Sequence, residues 1–222
     1  MKKIKRIILL LLVIAVALCV YEVKIGYDKY MDALRTKPLD TAVTEVTSKQ
    51  HYTEYEKIPT VFFNAIVATE DRRFYQHNGF DFIGTTRAVL RDIKEKKLLE
   101  GGSTISQQLA KNMYFPQDDT LERKIAEVFM ALKIEREYEK NKILELYAND
   151  IYYGSGYYCI YDAAKGYFKK KPIDMTDDEC TLLAGIPNAP SVYSLDENPE
   201  LARKRQEKVI ECMKECGYEI EQ

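Results

Sequence analysis

The N-terminal segment restricts the fold most. A single long apolar run of this kind can enter a bilayer only as a helix, because a helix pairs its own backbone polar groups. Residues 1–6 are basic, and residues 7–20 form an unbroken apolar run. The run is shorter than the ~20 residues that a helix needs to cross a bilayer. Flanking Lys5 and Arg6 can extend toward the head groups, and amphipathic residues up to Tyr27 can lie along the interface. We therefore predict a membrane anchor over residues 1–27.

There are two alternatives to an uncleaved anchor. One is a cleaved signal peptide with the small-x-small cleavage site Ala15-Val16-Ala17, and the other is a lipoprotein modified at Cys19. The first site lies inside the apolar run with no polar stretch before it, and bulky Leu18 precedes the cysteine. We therefore favour a single-pass anchor. The basic tip is then expected in the cytoplasm, with the chain from about Lys29 onward on the outer face of the cell membrane.

Charge and cysteine content argue against two classes of protein. The 33 Lys and Arg residues oppose 35 Asp and Glu residues, so no basic field predicts a nucleic-acid partner. The five cysteines do not form a disulfide framework, and Cys212 and Cys216 are expected to be free thiols on one helix face. Two histidines give poor support for a metal site.

Beyond the anchor, the pattern predicts a stalk followed by a helical domain. Residues 28–57 are polar with irregularly spaced apolar positions, which indicates a linker. No strand alternation is sustained over residues 58–216, so the fold class is mostly α and the domain spans 58–222. We expect Ser103 and Thr120 to cap two of the helices. Helices are predicted over residues 58–70, 82–98, 104–114, 121–139, 141–147, 157–168, 177–185 and 199–216.

The first candidate for chemistry is Glu70, within the motif Glu70-Asp-Arg-Arg-Phe74 that His77 and Asp81 follow. Residues 61–69 carry apolar side chains at helical spacing, which places Glu70 at the end of a largely buried helix. Partial desolvation raises the pKa of a carboxyl group and suits it to general acid or base catalysis. The alternative is a solvated charge cluster at a helix end.

The second candidate begins at Gly101-Gly102 and continues into a helix. Two glycines allow backbone amides to approach a ligand, and a helix N-terminus favours an anion. The polar side chains within two turns suit a sugar together with a phosphate. They are Ser103, Thr104, Gln107, Gln108 and Lys111. The alternative is an ordinary capped helix with a polar face.

The third candidate is Arg123-Lys-Ile-Ala-Glu127. Arg123 and Glu127 are four residues apart on a helix, so the simplest interpretation is a surface ion pair worth a few tenths of a kcal/mol. Lys124 beside them also allows binding of an anionic group. On these residues alone the surface pair is favoured.

These three motifs and two further ones occur in the order found in the peptidoglycan glycosyltransferases, glycosyltransferase family 51, which the chain resembles from about residue 58 to 213. The fourth motif is Lys142-Ile-Leu-Glu-Leu-Tyr-Ala-Asn149, with Gly154 and residues 163–168. The fifth is Leu182-Leu-Ala-Gly-Ile-Pro-Asn-Ala-Pro-Ser191. The resemblance implies a lysozyme-like α fold and polymerisation of lipid II, with inversion at the anomeric carbon and release of undecaprenyl diphosphate.

The resemblance also implies roles for individual residues. Glu70 matches the general base, and Glu127 the second essential carboxylate, near the donor diphosphate. No cofactor is required, although a divalent cation, Mg²⁺ or Mn²⁺, at Glu127 is compatible with the family. Implied partners are lipid II, the nascent glycan strand, the membrane and other cell-wall synthesis proteins. The substrate-binding residues implied are Arg87, Ser103, Thr104, Gln107, Gln108, Lys111, Asn112, Arg123, Lys124 and Asn149.

The chain departs from the family pattern at four positions. Asp119 stands where relatives usually carry a basic residue, and Ser106 replaces a commoner threonine. Cys159 and Lys169 stand where glycine is usual. With the last residue at Gln222, no transpeptidase domain is expected to follow and no β-lactam binding is expected.

Two other functions compete with polymerisation. A lytic, lysozyme-type glycosidase would need a protonated carboxylic acid at the leaving oxygen. The glycine-rich and Arg-Lys motifs have no evident task in such an enzyme. A catalytically weak, membrane-anchored scaffold is supported only by Asp119 and Lys169, and the two glutamates oppose it.

Overall fold

The computed structural model describes residues 2–95, 102–115 and 120–219. Within these ranges every regular element is a helix, so the predicted mostly α fold class is confirmed. A π-helical turn, Ala164–Phe168, directly follows α8. The α-helices are α1 Lys2–Thr36, α2 Leu39–Thr47, α3 Thr60–Glu70, α4 Phe82–Glu95, α5 Ile105–Tyr114, α6 Leu121–Glu137, α7 Lys140–Ala148, α8 Ile160–Ala163, α9 Asp177–Gly185, α10 Pro190–Tyr193 and α11 Pro199–Glu215.

The first helix, α1, has an exposed apolar half and a half that packs on the domain. Residues 4–20 are exposed, and the helix is long and apolar enough to cross a membrane. Its C-terminal half lies along α6, where Gly26 is buried. A Cβ at Gly26 would lie 2.5 Å from Cβ and Cγ2 of Ile125, so only glycine permits this approach. The part of α1 that packs on the domain thus includes Gly26, which lies within the predicted anchor over residues 1–27.

The predicted stalk over residues 28–57 is wrong for its greater part. Helix α1 continues to Thr36, and α2 begins at Leu39. Four apolar side chains of α2 belong to the main hydrophobic core: Leu39, Ala42, Val43 and Val46. Their spacing is that of an amphipathic helix, and burying them is what holds α2 against the domain.

Helix α3 is the centre of the domain. Its side chains from Phe62 to Ala68, apart from Asn64, are almost fully buried. Helices α9 and α11 pack on it, while α5 packs against both α6 and α7. Because α3 is buried along most of its length, its last residue, Glu70, is held in a fixed position at the end of a core element.

Most of the predicted helix ends are confirmed. Thr120 caps α6 through its side chain, which accepts from the Arg123 amide at 3.2 Å. Pro199 opens α11, and Gly217 follows its end with φ of 76°. The cap of α5 is Thr104 and not Ser103. The predicted helix over residues 82–98 is described as far as Glu95, and its last three residues lie outside the described ranges.

Candidate active site

Glu70 is the last residue of α3, and its carboxylate is held between two other helices. Gln108 Nε2 on α5 donates to Oε2 at 3.0 Å, and Arg205 on α11 places a guanidinium nitrogen 3.7 Å from Oε1. Burial raises the pKa of Glu70, while the Gln108 hydrogen bond and the Arg205 charge oppose that rise. The side chain keeps 9% of its surface exposed, while Oε1 is buried and accepts no hydrogen bond from the described residues.

The loop after Glu70 is fixed by two carboxylates, Asp71 and Asp81. Asp71 accepts from His77 Nε2 at 2.9 Å, and both side chains are buried. Asp81 accepts from Arg73 Nε at 3.1 Å and from the Ile83 amide at 3.1 Å, at the start of α4. Burial acts to raise the pKa of Asp81, but the Gly84 amide and Arg73 outweigh it and lower that pKa. These contacts hold the turn that directly follows Glu70.

Several backbone amides at the N-terminus of α5 are already bonded to protein groups. Thr104 and Gln107 form a reciprocal capping box, and both are buried. Asp71 Oδ2 takes the Ile105 amide at 3.1 Å, and Thr104 Oγ1 donates to the Gly79 carbonyl at 2.7 Å. The amide groups of residues 104, 105 and 107 are therefore already used. Thr104 and Gln107 thus hold α5 in place, and their binding of substrate stays a prediction.

Glu127 is the centre of a buried charge cluster on α6. It is 0% exposed, and Arg123 Nη1 donates to its Oε1 at 2.8 Å. Lys124 Nζ lies 3.1 Å from Oε2 and also donates to Ser103 Oγ at 2.6 Å. The alternative of a surface ion pair is thus wrong, since both members of the Arg123–Glu127 pair are buried. Half-exposed Lys124 is the cation of the cluster that a ligand can reach.

Helix α5 and the segment just before it contact the surroundings of both carboxylates. Gln108 on α5 contacts Glu70, and Ser103 just before α5 contacts Lys124 beside Glu127. Lys111, one turn after Gln107, is exposed on the same helix, and Asn112 is half-buried. Of the residues predicted to bind substrate, this arrangement brings together Ser103, Gln108, Arg123 and Lys124.

Two predicted substrate-binding residues lie elsewhere. Asn149 is fully buried, and its amide group makes three hydrogen bonds, with the Thr53 amide, the Thr53 carbonyl and the Glu145 carbonyl, each at 2.8 Å. Asn149 therefore anchors the segment before α3 and is not available to substrate. Arg87 is exposed on α4, and no described contact connects it to either glutamate.

Three of the four unusual positions lie in the described part of the chain. Cys159 is buried and its sulfur caps α8, accepting from the Asp162 amide at 3.5 Å. Lys169 ends the π-helical turn with φ of 60°, the left-handed conformation that favours glycine. Ser106 is buried and donates to Glu135 at 2.5 Å. Asp119 lies outside the described residues.

Sequence reasoning missed two residues of the site, Arg205 and Tyr147. Arg205 lies far along the chain on α11, in a segment without a motif of its own. Tyr147 lies inside the fourth motif, and its hydroxyl donates to Gln108 Oε1 at 3.1 Å. Helical periodicity predicts that Tyr147 is buried but does not reveal its partner.

The residues around Glu127 are a poor set of ligands for a divalent cation. The neighbours of its carboxylate are the positive groups of Arg123 and Lys124. Within the described ranges, no group of three or more metal-ligating side chains comes together. A cation at Glu127 would need most of its oxygen ligands from a bound substrate.

Comparison with known proteins places this geometry in context. A family model described as Transglycosylase matches residues 36–214. A putative transglycosylase of Cupriavidus necator is 42% identical over 185 residues, which cover 83% of this chain and 80% of that protein.

Larger relatives match over a similar stretch. Penicillin-binding protein 1A of Aquifex aeolicus is 46% identical over 170 residues, covering 77% of this chain and 23% of that protein. Penicillin-binding protein 1F of Bacillus subtilis is 41% identical over 179 residues, covering 81% of this chain and 25% of that protein. The chain thus spans about a quarter of the length of these two relatives. The resemblance inferred from the motifs and the lysozyme-like fold class are confirmed.

Proposed function

Because the chain belongs to the transglycosylase family, we propose that it is a peptidoglycan glycosyltransferase that polymerises lipid II into glycan strands. The observation that carries the proposal is the pairing of a buried carboxylate, Glu70, with a cluster of cations around a second carboxylate, Glu127, through one helix. Such a pairing supplies a base for the acceptor and positive charge for the donor.

On the acceptor side, Glu70 removes the proton from the 4-hydroxyl of the acceptor sugar as this oxygen attacks the anomeric carbon. A general base works best when its pKa lies near the working pH. Burial moves the pKa of Glu70 in that direction, and Gln108 and Arg205 keep the ionised form accessible. The new bond forms opposite to the leaving group, so the anomeric configuration inverts.

On the donor side, the departing group is undecaprenyl diphosphate. A diphosphate leaves as a stable anion, so it needs positive charge and no protonating acid. Lys124 and Arg123 supply two cations against the single carboxylate of Glu127. Exposed Lys111 on the adjoining helix can add to this charge. In this proposal Glu127 orients the two cations, and a divalent cation, if bound, is held mainly by the diphosphate.

The anchor fits a substrate that carries a lipid tail. Helix α1 is long and apolar enough to span a membrane, and it packs directly on α6, which carries Glu127. We place the basic tip in the cytoplasm and the domain on the outer face, where lipid II and the growing strand share its membrane. Other cell-wall synthesis proteins remain proposed partners.

A lysozyme-type glycosidase is the second candidate, because a buried carboxyl group with a raised pKa also suits a general acid. One experiment separates the functions: purified full-length protein is incubated with labelled lipid II and, in parallel, with finished uncrosslinked glycan. Polymer from lipid II supports the proposal. Cleavage of finished glycan would identify a hydrolase, and no reaction with either substrate would favour a scaffold.

A further inference from the structure

Tyr147 is a buried residue that the proposed chemistry does not use. It lies near the end of α7 and is 1% exposed. Its hydroxyl is 3.1 Å from Gln108 Oε1, and Gln108 Nε2 is 3.0 Å from Glu70 Oε2. A chain of two hydrogen bonds therefore runs from the interior of the domain to the proposed base.

We infer that Tyr147 is a positioning residue that orients the Gln108 amide so that its NH₂ group faces Glu70 and holds that carboxylate in its ionised form. The inference deepens the proposed function and rests on it only for the statement that Glu70 acts as the base. The orientation of the amide is a property of the folded protein and does not depend on the substrate.

The direction of each hydrogen bond follows from the groups present. The amide oxygen faces Tyr147 and can only accept, so the Tyr147 hydroxyl donates to Gln108 Oε1, while the amide NH₂ faces Glu70 and donates to it. In the reversed orientation the amide oxygen would face the carboxylate. Two acceptors repel each other there unless Glu70 carries a proton, so the reversed amide favours the neutral acid.

Tyr147 remains a donor throughout the working pH range. Burial raises the pKa of its phenol well above the ordinary value, and the negative charge of Glu70 adds a smaller rise. The hydroxyl thus keeps its proton and stays able to donate to Gln108 Oε1.

The other charged groups near Glu70 come from different elements. Arg205 on α11 approaches the opposite carboxylate oxygen, and Asp71 follows α3. Asp71 is itself paired with His77. None of these groups is described as bonding to the Gln108 amide, whose described partners are the Tyr147 hydroxyl and Glu70 itself.

The test is the pH dependence of lipid II polymerisation by full-length Tyr147→Phe. The base must be ionised, so activity rises as pH increases through the pKa of Glu70. We call this rise the acidic limb of the pH profile. Losing the hydroxyl is expected to move it to higher pH by about half a unit to one unit, which corresponds to the free energy of one neutral hydrogen bond. Activity below the limb falls about threefold to tenfold, and activity at alkaline pH recovers.

A matched control is Tyr153→Phe. Tyr153 is also fully buried, and its hydroxyl donates to the Ala148 carbonyl at 3.2 Å. This variant loses a buried phenol hydroxyl without touching Gln108, so its acidic limb should stay at the wild-type position. Equal limbs in the two variants would overturn the inference.

A second variant, Gln108→Met, tests whether Tyr147 acts through Gln108 and covers the case in which Tyr147→Phe folds poorly. Gln108 is only half-buried, so the substitution leaves the core intact. It should itself raise the acidic limb, and adding Tyr147→Phe should then produce no further shift. An unchanged limb in Gln108→Met, or a full additional shift in the double variant, would contradict the inference.

A direct titration separates this inference from the proposed function. Glutamate labelled with ¹³C at the carboxyl carbon reports the ionisation of Glu70 by NMR, with the signal assigned by Glu70→Gln. We expect Tyr147→Phe to raise the measured pKa of Glu70 whether or not the protein polymerises lipid II. A wild-type protein without polymerisation would refute the function alone, and an unshifted titration would refute the role of Tyr147.

Discussion

Arg205 Nη2 lies 3.7 Å from Glu70 Oε1, which connects the last helix of the domain to the proposed base at the end of α3. The path of the Arg205 side chain depends on Gly185 of α9, because a Cβ at that glycine would lie 3.0 Å from Arg205 Cγ. The aromatic ring of Tyr193 lies 5.9 Å from the guanidinium carbon. Arg205, which lies outside all recognised motifs, thus adds positive charge beside Glu70.

Removing this charge should impair the base at low pH. Burial raises the pKa of Glu70, and the positive charge of Arg205 lowers it. Arg205→Met removes that charge, so the pKa of Glu70 should rise further. We expect the acidic limb of polymerisation to move up by about one pH unit. The control Arg203→Met removes an exposed cation that pairs with Asp178 at 2.7 Å, and it should leave the limb in place. Coinciding profiles for the two variants would contradict the role of Arg205.

Local signals in the sequence predicted those parts of the fold that depend on neighbouring residues. Helical spacing over residues 61–69 correctly placed Glu70 at the end of a buried helix, and Thr120 was correctly identified as a cap. The Thr-x-x-Gln pattern of Thr104 and Gln107 was available as a capping box. The same residues also fit a substrate site, because a cap and a binding site use the same residue types.

Other features depend on contacts between distant segments. The spacing of Leu39, Ala42, Val43 and Val46 marks an amphipathic helix, but nothing in its short sequence indicates that the domain covers it. The contacts of Arg205 with Glu70 and of Tyr147 with Gln108 form only when α11, α7 and α5 pack around α3. No local pattern encodes these pairs.

Lys169 carries a backbone strain that glycine would relieve. Its φ of 60° costs a residue with a Cβ about 1 kcal/mol. We expect Lys169→Gly to raise the free energy of unfolding by about 0.5 to 1 kcal/mol, measured by denaturation in detergent. Lys169→Ala also loses the bond from Nζ to the Gly166 carbonyl but keeps its Cβ, so it should not be stabilising. A gain with alanine equal to that with glycine would argue against strain.

The contact between the anchor helix and the domain should be sensitive at Gly26. Gly26→Leu forces α1 away from Ile125 on α6, and such overpacking costs about 1 to 3 kcal/mol. We expect a lower unfolding temperature and slower polymerisation of lipid II in bilayers. Ala15→Leu, in the exposed part of α1, serves as the matched control and should change neither. Unaltered stability of Gly26→Leu would contradict close packing of α1 on α6.

The buried charge cluster on α6 should contribute strongly to stability. Glu127→Gln removes the carboxylate that faces Arg123 and Lys124 in the interior, which should lower the free energy of unfolding by about 3 kcal/mol. Glu137→Gln, which breaks a more exposed pair with Lys133 on the same helix, should cost no more than about 1 kcal/mol. Similar losses in the two variants, by chemical denaturation, would show that the Glu127 cluster is solvated.

The most direct measurement compares lipid II polymerisation and lipid II binding in Glu70→Gln. Gln keeps the shape of the side chain and cannot take up a proton, so polymerisation should fall by about 10² to 10⁴-fold while the dissociation constant stays near the wild-type value. Glu211→Gln, at an exposed pair with Lys208, should behave as wild type in both assays. Sustained polymerisation by Glu70→Gln would contradict the assignment of Glu70 as the base.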